Sequence, residues 1–275
     1  MNKNFRNSVC LISLLFALAG YAGLDVVQPQ PSDKTDQPSS NDRGFIPTLN
    51  KFGWMSTDLD SISESFLSFS KSQKLPVLDI GTAYGHTAQL ALSHGSKVIA
   101  NDMEPKHLSV LWDKVPLDQR KNLQLDSSRF PNQMEFAPQS LGAVLACRVF
   151  HFLSGEELEI GVRKIYSWLA PGGKVFVFAN APFRKNLSAF LKEYSERKSS
   201  VRYPGVVTDM QVVDPAQGDQ LPSFFHFLDV ETLTRLFTEA GFKIERAEYV
   251  RIENLPERSK LDGRENVGII AVKPE

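Results

Sequence analysis

The stretch from Leu75 to Asp102, LPVLDIGTAYGHTAQLALSHGSKVIAND, constrains this chain more than any other. Leu75, Val77, Leu78 and Ile80 form a short apolar run interrupted by Asp79 and closed by Gly81, the pattern of a buried parallel strand that ends in a turn. Gly81 and Gly85 frame that turn, where backbone that approaches a ligand closely or takes a positive φ has no room for a large side chain. A helix follows, with Ala88, Leu90, Ala91 and Leu92 on its apolar side and His94-Gly95 as its stop. A second strand, Lys97 to Ala100, leads to Asp102. Strand, glycine turn, helix, strand and acid thus share one βαβ unit, an arrangement suited to a nucleotide-like ligand.

Spacing narrows the ligand. A dinucleotide fingerprint starting at Gly81 would want glycines where Ala83 and His86 stand. The residues present, Asp79-Ile-Gly81-Thr-Ala83-Tyr-Gly85 with Asn101-Asp102 after the second strand, resemble the D-x-G-x-G-x-G motif of the class I S-adenosylmethionine-dependent methyltransferases, with Ala83 in place of the middle glycine. A second match is Trp168-Leu-Ala-Pro-Gly-Gly-Lys, which resembles the L-x-P-G-G turn of that family. The resemblance covers about Phe45 to Pro274. It implies an α/β fold: a doubly wound, mostly parallel seven-stranded sheet, with an antiparallel last strand and helices on both faces. It also implies S-adenosyl-L-methionine as cofactor, with Asp79, Gly81, Ala83 and Gly85 forming the cofactor turn and Asp102 accepting from the ribose hydroxyls. Met103 would lie against adenine and Asp126-Ser127 would meet its amino group, while Cys147 and Arg148 would border the transferable methyl. One familiar mark is missing, because Gly142 stands where the family commonly carries an aspartate.

The rest of the chain fits around that unit. Phe45, Ile46, Phe52 and Trp54 precede an amphipathic segment from Asp58 to Ser70, capped by Ser56 or Thr57, and the resemblance makes Phe52 and Trp54 pocket walls. Pro105 opens the next helix, Asn122 to Leu125 is a third strand and Leu141 to Ala146 a fourth. A helix spans Gly155 to Leu169, Pro171-Gly172-Gly173 ends it, and Lys174 to Ala179 is the fifth strand. After a helix begun at Asp229, Ile244 to Ile252 and Val267 to Val272 have no helix between them and must pair antiparallel. Residues 181–226 exceed a minimal alternation of strands and helices and are expected to form a lid. Six basic residues from Arg184 to Arg202 face only Glu193 and Glu196 there.

The ends of the chain divide it further. Lys3 and Arg6 precede an apolar run from Val9 to Ala19, followed by small residues, so residues 1–23 have the pattern of a signal peptide. The run falls short of the about 20 apolar residues of a membrane span. A tyrosine, Tyr21, stands where a lipoprotein box would carry its cysteine. Residues 24–44 form a polar linker expected to be disordered, and 45–275 the methyltransferase-like domain. The N-terminal segment points to export, periplasmic or secreted, with a cytoplasmic or inner-membrane-tethered protein as the other reading; the membrane would be met only through that segment.

These features indicate a methyltransferase acting on a small-molecule or carrier-bound acceptor, anionic if Arg148 and the basic segment bind it. The other reading is a non-catalytic S-adenosylmethionine-binding or interaction protein on the same fold. With Lys+Arg 31 against Asp+Glu 32 the chain has no field to gather nucleic acid, and two cysteines, Cys10 and Cys147, make no thiolate metal site. Histidine is the side chain whose ordinary pKa suits proton removal near neutrality. His151, just beyond the fourth strand, and His226, at the end of the lid, are the candidates for a catalytic base.

Overall fold

The computed structural model describes residues 38–216 and 221–275. The signal-peptide-like segment and most of the linker lie outside the described residues. Among those described, no helix is long and apolar enough to cross a membrane.

Four parallel strands make the centre. They are β3 (Val77–Ile80), β4 (Val98–Asn101), β5 (Leu123–Asp126) and β6 (Leu141–Cys147), and every residue of β3 and β4 is buried, as strands covered on both faces require. With β7 (Leu169–Asn180), β10 (Lys243–Tyr249) and β11 (Asn266–Val272) they form one sheet in the order β10-β11-β7-β6-β3-β4-β5. Strand β11 runs antiparallel to both its neighbours, as the helix-free connection before it demands. Ile80 lies opposite both Asn101 and Ala146, and Asn101 opposite Asp126, so the central strands reach their carboxyl ends together. The order reverses at β3, whose neighbours are β4 on one side and β6 on the other, and a crevice opens at such a reversal.

Helices cover both faces. On one, α1 (Ser61–Ser70), α2 (His86–Ser93) and α3 (Pro105–Lys114) bury Ile62, Phe66, Ala88, Ala91, Leu108 and Leu111 against the sheet. On the other, α4 (Gly155–Trp168) and α7 (Val230–Glu239) bury Leu158, Val162, Ile165, Leu233, Leu236 and Phe237. Local chemistry sets the helix starts. Ser154 and Glu157 form a reciprocal capping box on α4, Asp229 accepts from Thr232 N on α7, and Pro105 occupies the first turn of α3. One start differs from the sequence expectation. Helix α1 begins at Ser61, not Asp58, because the Asp60 carboxylate accepts from the amides of Ile62 and Ser63 and fixes the cap there instead of at Ser56 or Thr57.

Two additions flank the crevice. A short antiparallel hairpin of β1 (Phe45–Pro47) and β2 (Trp54–Ser56) precedes α1. Residues 181–226 carry α5 (Ser188–Arg197), β8 (Val206–Val207), α6 (Met210–Val213) and β9 (Phe225–His226), with β8 paired to β9. This addition has an apolar cluster of its own, including Phe190, Tyr194, Met210, Phe225 and Phe227, onto which Phe152 and Phe183 pack. Three of its six cations are paired: Arg197 with Glu193, Lys198 with Asp229 and Glu231, and Arg202 with Glu159 and Glu239.

The loop after β6 is anchored by Phe150, fully buried and stacked between Phe130 at 6.2 Å and Phe237 at 6.2 Å. Phe150→Ala is expected to lower unfolding free energy in denaturant titration by about 3–5 kcal/mol, the cost of emptying a large buried aromatic site. A loss below about 1 kcal/mol would mean that this stack does not hold the loop.

Candidate active site

A cavity of about 930 Å³ occupies the crevice at the carboxyl edge of the sheet. Its floor is the turn after β3. Gly81 has φ 69° and a Cβ there would lie 2.4 Å from Val149 Cγ2, so only glycine fits beneath the loop that follows β6. Ala83 also adopts a left-handed conformation, φ 48°, at the position where the motif carries glycine. Gly85 caps α2 with φ 76° but does not line the cavity. Its missing side chain makes room for Leu111, whose Cδ1 would lie 2.2 Å from a Cβ.

Two carboxylates sit in this floor. Asp102 Oδ2 accepts from the Ala83 amide at 2.9 Å and Oδ1 from the Glu104 amide at 2.9 Å, which fixes the carboxylate at the cavity edge. Behind it His107, fully buried, places Nδ1 3.0 Å from Asp102 Oδ1 while Nε2 accepts from the Leu49 amide at 3.0 Å. Asp79 is buried with the Thr82 hydroxyl donating to it at 2.7 Å, and burial pushes its pKa up to about 7 despite that bond, with the charge of Asp102 adding to the rise.

The other sequence candidates divide. Met103, Cys147, Arg148 and His151 line the cavity, as do Phe52 and Trp54 of the hairpin segment. Asp126, Ser127 and His226 do not. Asp126 is fully buried, with Oδ2 accepting from Asn101 Nδ2 at 3.2 Å and Oδ1 from the Ser128 amide at 2.9 Å. The neighbouring residues Asn101, Ser128 and Arg129 line the wall there, and Asp126 does not. His226 is enclosed in the 181–226 addition, hydrogen-bonded through Nδ1 to Leu153 O at 3.0 Å, and burial holds its pKa down to about 4. A base needs contact with the cavity, and His226 has none.

His151 reaches the cavity but is 3% exposed and stacks on Phe225 at 4.7 Å. Burial, then Arg148 and Arg184, hold its pKa well below the ordinary histidine value. Its Nδ1 accepts from the Asn180 amide at 3.4 Å, which leaves the proton of the neutral ring on Nε2. The ring is set as a donor. Cys147 is no nucleophile either, because burial and the neighbouring Asp60, whose Oδ2 lies 3.6 Å from Sγ, push the thiol far above its usual range.

Three contributors were not singled out in the sequence, although Arg184 belongs to the basic segment expected to bind an anion. Asp60 both caps α1 and lines the cavity, and its place two residues before Ile62 was the available signal. Arg184 turns inward from the addition, and Tyr249 to Leu255 close the far wall after β10. No local pattern marks an inward turn within a run of exposed cations.

A family model described as a methyltransferase domain matches residues 77–173. No curated protein matches the sequence. Among solved structures, an S-adenosylmethionine-dependent methyltransferase of Methanosarcina mazei is 17% identical, with 79% of this chain and 99% of that one covered and a TM-score of 0.57. The 1,6-didemethyltoxoflavin-N1-methyltransferase of Burkholderia thailandensis, solved with 1,6-didemethyltoxoflavin and S-adenosylhomocysteine, is 16% identical over 78% of this chain and 80% of that one, with a TM-score of 0.52. An N-methyltransferase of Haemonchus contortus, in complex with phosphomonomethylethanolamine and S-adenosylhomocysteine, is 16% identical over 78% of this chain and 52% of that one, with a TM-score of 0.53. These likenesses are of fold.

The raised Asp79 pKa has a thermodynamic consequence. Between its ordinary value of 3.8 and about 7 the folded protein keeps a proton that the unfolded chain releases, so this group makes stability fall as pH rises through that window and leaves it level above it. Asp79→Asn cannot titrate and is expected to remove up to about 1.4 kcal/mol per pH unit of that downward slope in denaturant unfolding. Equal slopes in parent and variant would contradict the shift.

Proposed function

We propose that this protein is a class I S-adenosylmethionine-dependent methyltransferase that moves the methyl group onto a small-molecule or carrier-bound acceptor held in the apolar half of the cavity. The observation that carries the reading is the joining of the glycine turn to Asp102 through the Ala83 amide, at the point where the strand order reverses. The residues present fit the cofactor. Asp79 is a buried carboxylate without a cationic partner, which a bound ammonium would favour in its charged form. Asp102 Oδ2 accepts only from the Ala83 amide and keeps acceptor capacity for a hydroxyl donor, while Oδ1 is taken by the Glu104 amide and His107.

S-adenosylmethionine, when bound, supplies an electrophilic methyl on a sulfonium. The chain's own residues then have three tasks. The turn from Asp79 to Ala83 and Asp102 would hold the cofactor. Phe52, Trp54, Phe152 and Phe225 would exclude water and hold the acceptor body, which aligns its nucleophilic atom; alignment of this kind supplies much of the barrier reduction for a reactive pair. His151, with its proton on Nε2, would donate a hydrogen bond to the acceptor rather than take its proton. In this reading His151 serves binding instead of acting as the base expected from sequence, and acceptors that are nucleophilic without help are favoured.

The small-molecule class draws support from the aromatic-lined cavity, whose size suits a cofactor together with a compact acceptor. The acceptors bound in the Burkholderia and Haemonchus structures are small as well.

Asp102→Ala is expected to weaken S-adenosylhomocysteine binding in calorimetry by about 2 kcal/mol, the loss for hydrogen bonds to a charged group. Unchanged affinity in a folded variant, or a parent that prefers NAD, would remove Asp102 from the site.

A further inference from the structure

Among the described residues, two cations, Arg148 and Arg184, face the cavity without a counterion. Arg148 leaves β6 in the left-handed region, φ 60°, a conformation that costs energy for a residue with a side chain and tends to persist where function holds it. Its guanidinium lies 4.9 Å from the centre of the Phe178 ring and reaches only Asn180 Oδ1, at 3.4 Å. Arg184 forms no side-chain hydrogen bond or ion pair among the described residues, and its Nε is enclosed with no partner.

The carboxylates nearby are already engaged. Asp214 binds Arg258 and Asn186, and Glu265 accepts from the amides of Leu261, Asp262 and Gly263. On the cavity wall Glu248 pairs with Arg246 and Glu253 with Arg251. Burial and then the charge of Arg148 push the Arg184 guanidinium down to about 10, so the two side chains repel each other across the same space. Both side chains are half-buried, and a guanidinium whose Nε is enclosed without a partner is costly, a cost recovered when an anion brings several acceptor atoms to it.

We propose that Arg148 and Arg184, with His151 donating from Nε2, form a subsite for an oxyanion, a carboxylate or phosphate, carried by the methyl acceptor. The body of that acceptor would lie against Phe52, Phe152 and Phe225, which line the same cavity and pack on one another at 5.4 and 5.5 Å. An aromatic or similarly apolar molecule bearing one oxyanion fits both halves. This rests on the methyltransferase reading, which places the cofactor over Asp79 and Asp102 and leaves the arginine end for the acceptor.

The test is calorimetry on the parent protein saturated with S-adenosylhomocysteine. Phenyl phosphate and benzoate are the anionic probes, and benzyl alcohol the neutral one. At least one anion is expected to bind ten-fold or more tightly than benzyl alcohol, and the stronger of the two identifies the oxyanion. Arg184→Met and Arg148→Met should each remove that preference while leaving S-adenosylhomocysteine affinity within about two-fold, and Arg184→Lys should restore part of it, since lysine keeps the charge without the fork. The parent comparison stands even if a variant fails to fold. Equal binding of anions and alcohol by the parent would overturn the subsite alone. Loss of S-adenosylhomocysteine affinity in Arg184→Met would also overturn it, by assigning the arginines to the cofactor's own carboxylate. A parent that does not bind S-adenosylhomocysteine would overturn the proposed function and this subsite together.

Discussion

The hydrogen bond from the Ala83 amide to the Asp102 carboxylate is the contact on which the site depends. It ties the glycine turn after β3 to the end of β4, so two separate loops present one surface. Its geometry is relayed outward. His107 bridges Asp102 to the Leu49 amide, and the neighbouring Tyr84, its ring 4.9 Å from that of His107, donates to Pro47 O at 2.8 Å. The β1–β2 hairpin, which forms one wall of the cavity, is thereby fastened to the same carboxylate that shapes the floor. A change at Asp102 therefore acts on the wall as well as on the ligand.

Much of the fold was legible because its cues are local. Short apolar runs marked β3, β4 and β6, and the missing helix before β11 marked its reversed direction. The boundaries that shifted did so where a side chain competed for the backbone. Asp60 draws the start of α1 to Ser61, and β7 begins at Leu169 because Pro171-Gly172-Gly173 is absorbed into the strand beside a register shift at Leu141 and Ala143. Gly142, where an aspartate was looked for, leaves space for Gln73, whose Oε1 would lie 2.6 Å from a Cβ.

The candidate site was legible within the first βαβ unit and less so beyond it, for a physical reason. The turn and Asp102 lie within one βαβ unit, so sequence spacing fixes their distances. Asp126 lies one strand further out, and whether its carboxylate faces the cavity depends on the Asn101 amide that turns it inward, a tertiary contact that spacing does not encode. His226 and Arg184 belong to the same addition and carry similar sequence credentials. Packing against Leu153 encloses the first, while the second turns to the cavity. A motif specifies backbone shape well; it does not specify which side chain of a long addition faces inward.

If the Ala83–Asp102 bond joins the floor to the wall, the glycine turn, Asp102 and the hairpin respond together to the cofactor. Hydrogen–deuterium exchange with and without S-adenosylhomocysteine measures this directly. Slower exchange is expected in three stretches at once: Gly81 to Thr87, Asp102 to Glu104, and Phe45 to Ser56. Binding of S-adenosylhomocysteine that leaves all three unprotected, or protects residues away from the carboxyl edge of the sheet, would contradict it.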